Sequence, residues 1–522
     1  MTELLTSAQM RALEAAAIAS GHVTGLQLME RAGQGVVQAI FAEWPELRAT
    51  SHRAVVLCGP GNNGSDGFVV ARLLKEWGWQ VAVFLHGTPD RMPPDARANY
   101  ERWLAMGQVR PLDTFGFSQT AMANATREAD FASGAPVIID ALFGTGLTRP
   151  LTGDLAKLLG FLADMTEFGH GAVVAVDVPS GLCADSGRVL GAAATAVLTV
   201  TFHCAKSGHY LAEGPARCGR LRCVDIGLTA SDADLSQVAP RLDLLSKGSG
   251  HKFSHGHALI LSGGVGHGGA ARLAARGAVR VGAGLVTLAC PPGALAENAA
   301  RLDAIMLKSV ADGAGLADIL SDPRITALCL GPGLGLDARA ADLVRAALAW
   351  RGEPSRPVVL DADALTLISR DPALFALLHK NCVLTPHAGE FARLFPDSAA
   401  RLDAPATIGP AYSKVDATRE AAARAGCTVL YKGPDTVIAS PDSTCAVNSA
   451  AYDRAAPWLA TAGSGDVLAG FICGLLARGF APFDAACTGA WLHVECARSF
   501  GPGLIAEDLP DELPAVFRAL GV

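Results

Sequence analysis

The sequence predicts an α/β protein with two domains along its 522 residues. Three observations lead there. Short apolar runs that end in Gly-rich loops and pass into apolar helical stretches recur in both halves, as expected of parallel strands with covering helices. Half of the residues are hydrophobic but only 6% are aromatic, and glycine occurs 57 times, a composition suited to close helix–sheet packing. A polar, Asp- and Ser-rich stretch holding Pro240 lies between the halves. The expected division is a first domain over 1–228, a linker over 229–245 and a second domain over 246–522.

Bulk composition excludes several functions. The net charge is −7, with no long basic run, so nucleic acid is not the expected partner. The 13 cysteines are scattered and never form a C-x-x-C pair, which argues against metal knuckles and a disulfide framework and points to a reducing compartment. No apolar run reaches the ~18 residues needed to span a bilayer, and no secretory leader is evident. A cytoplasmic protein without membrane partners is expected.

In the first half, residues 4–19 read as an amphipathic helix with Thr6 and Gln9 at capping-box spacing. A second helix is expected from about Leu26 to Trp44. Arg53–Cys58 is a strand, Gly59-Pro-Gly-Asn-Asn-Gly-Ser-Asp-Gly67 a loop, and Phe68–Trp77 a helix. A plain turn needs one or two Gly or Asn residues, not this many. At the carboxyl edge of a parallel sheet, such a loop is placed to meet a ligand. It lacks the G-x-G-x-x-G spacing and the later acidic residue of a dinucleotide dehydrogenase. Gln80–His86, Pro136–Asp140 and Ala172–Asp177 are further strands. The last two end in carboxylates, and Ala141–Pro150 is again Gly-rich. Ala196–Phe202, with Lys206 close behind, and Arg220–Asp225 complete the half. One strand-end Asp is often only a helix cap; acids at several ends of one sheet point to one site.

Gly59–Gly67, Asp140-Ala-Leu-Phe-Gly-Thr-Gly146 and Asp177-Val-Pro-Ser-Gly181 together resemble the motifs of the NAD(P)HX epimerase family, over roughly residues 1–228. The resemblance implies a Rossmann-like domain that interconverts the R and S forms of hydrated NADH and NADPH. It implies that Asn62, Asn63, Gly64, Ser65 and Asp66, with Gly144, Thr145, Gly146, Leu147, Thr148, Arg149 and Pro150, hold the substrate. It further implies that Asn63, Asp140 and Ser180 bind potassium through oxygen atoms, and that Asp177 sits at the reacting carbon. Ser65 departs from the family's usual Gly, and its hydroxymethyl group is expected to narrow the loop.

The second half opens with the strand His257–Ser262, the loop Gly263–Gly269 and a small-residue helix from Ala270 to Val281. Ala327–Leu330 precedes Gly331–Gly335. Pro357–Ala364 ends a strand in two carboxylates, and Cys382–Glu390 ends one with His387 and Glu390. Thr428–Thr436 carries Lys432 at a turn. Last comes Thr461-Ala-Gly-Ser-Gly-Asp-Val-Leu-Ala-Gly470, a loop entering an apolar helix that runs to Ala477. Free N–H groups and the helix dipole make that end an anion cradle, with Asp466 placed to take a proton from a hydroxyl.

This order resembles the ribokinase-like fold and, through Thr385-Pro-His-Ala-Gly-Glu390, Lys432-Gly-Pro-Asp-Thr436 and Thr461–Asp466, the ADP-dependent NAD(P)HX dehydratase family. Ser464 stands where that family more often has Thr and keeps the hydroxyl. The resemblance implies contacts of Ala270, Gly333 and His387 with the hydrated dinucleotide. It implies contacts of Lys432, Gly433, Pro434, Asp435, Thr436 and Gly465 with ADP, a requirement for Mg²⁺, Asp466 as base and assembly into a homo-oligomer. Blander readings stand beside these. His387 can be a satisfied strand-end histidine and Lys432 a solvated charge. Asp361 and Asp363 can cap the next helix and are left out of the site. The alternative function is a ribokinase-like small-molecule kinase whose first half is a regulatory binding module.

Overall fold

The computed structural model describes residues 2–114, 136–169, 171–229, 233–350, 352 and 355–522. Residues 230–232 of the expected linker lie outside these. Strand Leu235–Gln237 and helix Leu242–Leu245 occupy much of the rest of that stretch. The chain divides into two compact units. One comprises Glu3–Leu235 with Pro405–Ser413, the other Ser236–Ala404 with Lys414–Val522 and the first two residues.

The first unit is built on a seven-stranded parallel sheet. Its strands are β1 (Arg53–Cys58), β2 (Gln80–Leu85), β3 (Val109–Pro111), β4 (Val137–Ala141), β5 (Ala172–Val176), β6 (Leu198–Phe202) and β7 (Arg220–Val224), in the order β3-β2-β1-β4-β5-β6-β7. Alternate residues face opposite sides, as the pleat requires. Val137 and Ile139 join one core, whereas Ile138 packs into the other with Leu57 and Val173. Both faces are therefore covered, which accounts for the continuous apolar runs. Helix α1 (Ser7–Ala19) starts at the Thr6–Gln9 capping box, and α2 (Gly25–Glu43) at a second one formed by Thr24 and Gln27.

Helix α3 begins at Asn62, not Phe68, and runs to Glu76. The Gly-rich loop is thus mostly a first helical turn. Asn, Ser and Asp disfavour helix interiors but suit a terminus with free N–H groups. The strand order reverses between β1 and β4, so the loops after these strands flank the crevice where open α/β sheets bind ligands.

In the second unit the strands are β8 (His257–Leu261), β9 (Leu285–Cys290), β10 (Met306–Ser309), β11 (Ala327–Leu330), β12 (Val358–Leu360), β13 (Cys382–Leu384), β14 (Thr428–Tyr431), β15 (Asp435–Ala439) and β16 (Cys445–Ser449). They run in the order β16-β15-β14-β13-β12-β11-β8-β9-β10. From β14 to β10 neighbours are parallel; β15 and β16 are antiparallel additions. Helices α4 (Gly269–Arg280) and α5 (Ser464–Ala477) cross backbone to backbone. A Cβ on Gly470 would stand 2.1 Å from Ala274 O, and one on Gly474 2.7 Å from Ala278 O. The small residues noted in the sequence serve this contact. The order reverses between β8 and β11, which opens a second switch-point crevice. No helix among the described residues is long and apolar enough to cross a membrane.

Candidate active sites

Asp177 is the first residue past β5. It is 8% exposed and has φ +67°, left-handed backbone that non-glycine residues rarely adopt. His209 fixes that backbone: its Nε2–H donates to Asp177 O at 2.9 Å, and its Nδ1 accepts from Lys206 N at 2.9 Å. This pattern needs a neutral ring, and burial together with the nearby Lys206 charge lowers His209 to about 4. The Asp177 carboxylate accepts from Lys206 Nζ at 2.8 Å and Thr201 Oγ1 at 2.9 Å. Burial works most strongly against its charge, yet Lys206 together with His209 and Thr201 holds it below the ordinary carboxylate range.

Asp66, near the start of α3, has the opposite environment. Burial first, then Asp177 and Glu14, push it well above the ordinary range. Its Oδ1 and the Asn63 Nδ2 are buried and meet no hydrogen-bond partner among the described residues. Such groups are costly unless a ligand completes them. Asn63 Oδ1 and Asp177 Oδ2 lie 2.8 and 3.3 Å from where a Cβ on Gly144 would stand. The Gly-rich loop after β4 therefore runs between them without room for a side chain. A carboxyl that keeps its proton beside a carboxylate that has lost one is an acid–base pair.

Asp140, next to last in β4, is fully buried. Its oxygens accept from Ser180 Oγ at 2.6 Å, Ser180 N at 2.8 Å and Leu142 N at 3.3 Å. Burial raises it despite the Ser180 hydrogen bonds. Among the described residues no cationic side chain compensates this carboxylate. The grouping of Asp140, Ser180 Oγ and Phe143 O, with Asn63 beside the same loop, offers only oxygen to a cation. That donor set fits a hard ion such as potassium.

The remaining residues expected at this site are placed unevenly. Gly64 is buried in the α3 turn; Asn62, Gly146, Thr148 and Arg149 are exposed; Thr145 O accepts from Arg11. Leu147 is buried, Pro150 half-buried, and Thr148 O accepts from Gly409 N at 3.0 Å, within the Pro405–Ser413 segment. Ser65 does not narrow the loop. Its hydroxyl turns into the core, donating to Met29 Sδ and accepting from Asn99 Nδ2 at 3.0 Å.

The second site gathers on neighbouring strand ends. Gly463 has φ +86° and starts α5, which puts Asp466 in its first turn. Asp361 follows β12, His387 and Glu390 follow β13, and Lys432 follows β14. Lys432 is not a solvated charge: its Nζ lies 2.7 Å from Asp361 Oδ1 and 3.8 Å from Glu390 Oε2. Burial opposes its charge, but Asp361 and Glu390 hold its pKa above the ordinary lysine value. A Cβ on Gly465 would stand 3.4 Å from that ammonium. Asp466 is raised to about 6, first by burial and then by Asp361, with Lys432 opposing and Asp363 and Glu390 adding. This suits a base working near neutral pH.

His387 caps helix Ala388–Leu394 through a box with Glu390, and its ring is half exposed. Gly333 (φ +62°) and Ala270 meet at the β8/β11 switch point, where a Cβ on Gly333 would stand 3.4 Å from the Ala270 Cβ. A cavity of about 560 Å³ lies beside Lys432, Gly433, Pro434, Thr436, Ser464 and Gly465, with a largely apolar far wall that includes Leu468 and Val494. It has the size and lining of a small-molecule site. Asp435 does not line it; its carboxylate pairs with Lys414 Nζ at 2.7 Å.

A family described as NAD(P)H-hydrate dehydratase matches residues 258–514, and one described as YjeF-related protein N-terminus matches residues 25–208. The bifunctional NAD(P)H-hydrate repair enzyme of Moorella thermoacetica is 36% identical over 541 residues, covering 99% of this chain and 97% of its own. The chain belongs to the bifunctional NAD(P)H-hydrate repair enzyme family. The NAD(P)H-hydrate epimerase of Rhodobacter capsulatus is 48% identical over 40% of this chain and 92% of its own. Among solved structures, the ADP/ATP-dependent NAD(P)H-hydrate dehydratase from Bacillus subtilis, co-crystallized with ATP/Mg²⁺, is 27% identical. It covers 54% of this chain and 94% of its own, with a TM-score of 0.42. As a member of this family the chain joins an α/β unit on a seven-stranded parallel sheet to a second α/β unit with a sheet of its own.

Within that frame, sequence reasoning left several neighbours of the repair sites without a role. Lys206, Thr201 and His209 surround Asp177, and Asp361 and Glu390 surround Lys432. Lys206 carried a faint signal, a lysine just past a strand end. Thr201 and His209 carried none.

Proposed function

We propose that residues 1–228 interconvert the R and S forms of hydrated NADH and NADPH, and that residues 246–522 dehydrate the S form at the expense of ADP, giving AMP and phosphate. The observation that carries the first half is the pair of buried, unpartnered groups, Asn63 Nδ2 and Asp66 Oδ1, beside the anionic Asp177. For the second half it is Asp466, raised to about 6, in the turn where Lys432 meets Gly465. Relatives matched from end to end are named bifunctional NAD(P)H-hydrate repair enzymes, which favours this reading over a kinase with a regulatory first half.

Hydration leaves a hydroxyl on C6 of the dihydronicotinamide ring, beside the ring nitrogen. When the nitrogen lone pair expels that oxygen, C6 becomes planar, and water can add to either face. Asp66 can give the leaving oxygen its proton, and Asp177 can take one from the incoming water. Asn63, Asp140 and Ser180 would hold K⁺, which when bound offsets the charge of the clustered acids.

At the second site Asp466 accepts the C6 hydroxyl proton, and the oxygen attacks the terminal phosphorus of ADP, with AMP leaving. The nitrogen lone pair then expels the phosphate, and loss of a C5 proton restores the ring double bond. Lys432 and the N–H groups at 463–466 face the charge that develops on the transferring group. Among the described residues no cluster of three or more His, Cys, Asp or Glu is arranged to hold a metal. Mg²⁺ therefore fits as an ion carried mainly by the nucleotide phosphates, where it neutralises their charge. All 13 cysteines are free, in keeping with a cytoplasmic setting, and the proposal includes assembly into a homo-oligomer.

The deciding experiment follows reduced-nicotinamide absorbance from a mixed R and S hydrate. Complete recovery is expected with ADP, K⁺ and Mg²⁺ present, none without ADP, and recovery of the S fraction alone when Asp177 is replaced by Asn. Recovery independent of ADP would refute the dehydratase assignment, and turnover of simple alcohols in its place would favour the kinase.

A further inference from the structure

We propose that Asp361 is a positioning residue of the dehydratase site: its carboxylate holds the Lys432 ammonium beside Gly465, where the terminal phosphate of the nucleotide arrives. This rests on the reading of Gly463–Asp466 as phosphate turn and base.

Asp361 is 2% exposed and stands just ahead of helix Ala362–Arg370, in the extended backbone of an N-cap. It makes no side-chain cap hydrogen bond. Its neighbour Asp363 is occupied elsewhere, accepting from Gly335 N at 2.9 Å. The backbone around Asp361 is tightly determined. Ala362 has φ +46°, a left-handed conformation for a non-glycine residue, and a Cβ on Gly331 (φ +125°) would stand 1.7 Å from Asp361 O. Strain of this kind persists only where the surroundings impose it.

What that backbone achieves is the 2.7 Å bond from Lys432 Nζ, reaching past β13 from the end of β14. A lysine carries its charge on a flexible four-carbon stem with three donors. Asp361 takes one donor and fixes the stem; the other two remain for a phosphate. The groups facing Asp466 are Asp361, Lys432, Asp363 and Glu390. Neutralising Asp361 removes one of the charges that raise Asp466.

The test uses the full chain and four variants: Asp361→Asn, Lys432→Met, the double variant and Asp466→Asn. Asp361→Asn is expected to raise KM for ADP about tenfold, the scale of one lost hydrogen bond to a charged group. Binding of AMP, which lacks the transferred phosphate, should stay within about twofold, which also reports an intact fold. The acid limb of the dehydration profile should move to lower pH. On the Lys432→Met background, Asp361→Asn should add less than about a twofold further loss. A full additional loss in the double variant, equal weakening of ADP and AMP, or an unmoved acid limb overturns the positioning role. Wild-type dehydration by Asp466→Asn would instead overturn the underlying reading of the turn.

Discussion

Lys206 Nζ stands 2.8 Å from Asp177 Oδ1, and both residues are closed off from solvent. Lys206 donates as well to Thr201 Oγ1 at 2.8 Å and to Phe202 O at 3.2 Å. The two charges are therefore fixed by each other and by the end of β6.

Removing the lysine should be severe. A buried pair that loses one member costs about 3–5 kcal/mol, because the survivor is left charged and unpaired. In the intact protein Asp177 is held below the ordinary carboxylate range. Its contribution to stability is present above that range and is lost as pH falls through the depressed folded value. In Lys206→Met the sign reverses. Burial then raises Asp177 above its unfolded value, so the penalty grows as pH rises through and above the ordinary range. Urea unfolding at pH 5 and pH 8 should show the larger loss at pH 8. A loss independent of pH would show that Asp177 does not respond to the lysine.

For the dehydratase reaction, activity should fall as pH drops through about 6, the value to which burial and the neighbouring carboxylates raise Asp466. A base must be ionised to accept the hydroxyl proton, so the loss is on the acid side. Asp466→Asn should reduce kcat on the order of 10²–10⁴-fold. A variant within tenfold of wild type, or a profile flat between pH 5 and 8, would remove Asp466 from the chemistry.

Much of this arrangement was legible in the sequence, for reasons that individual residues make plain. Gly59–Gly67 stood out because no ordinary turn needs that density of Gly and Asn. The start of α3 was misplaced because Asn62 and Asn63 are poor inside a helix yet well suited to its first turn. Asp361 and Asp363 looked alike as strand-end acids. Only the strand order shows that one reaches Lys432 while the other holds Gly335 N. The partner of Asp177 was hidden for the same reason. Lys206 lies 29 residues further on, and nothing local joins them. Ser65 was read as part of the loop lining, whereas its neighbours Met29 and Asn99 come from other helices.

Potassium dependence offers a separate check on the first unit. Asp140 is fully buried and, among the described residues, receives hydrogen bonds from Ser180 and Leu142 but none from a cationic side chain. Asp140→Asn keeps the shape and removes the charge. The K⁺ concentration for half-maximal epimerisation should rise about tenfold, the worth of roughly 1.4 kcal/mol, while ADP-dependent dehydration of purified S hydrate stays unchanged. An unaltered K⁺ response would place the ion elsewhere.

Two glycines of α5 should separate function from stability. At Gly470 a Cβ would meet Ala274 O at 2.1 Å and Ala274 C at 2.7 Å, both rigid backbone. Gly470→Ala must push α4 and α5 apart, and overpacking of this kind typically costs about 1–3 kcal/mol. At Gly465 the nearest atom to an added Cβ is Lys432 Nζ at 3.4 Å, an ordinary van der Waals distance, so alanine fits without moving a helix. That methyl group would instead occupy the side of the turn facing Lys432, in the wall of the 560 Å³ cavity. Gly465→Ala should therefore leave the melting temperature near wild type and raise KM for ADP several-fold, whereas Gly470→Ala should lower the melting temperature and change KM little. Calorimetry paired with ADP titrations distinguishes the two. The reverse pattern would mean that the nucleotide does not approach the chain at Gly465.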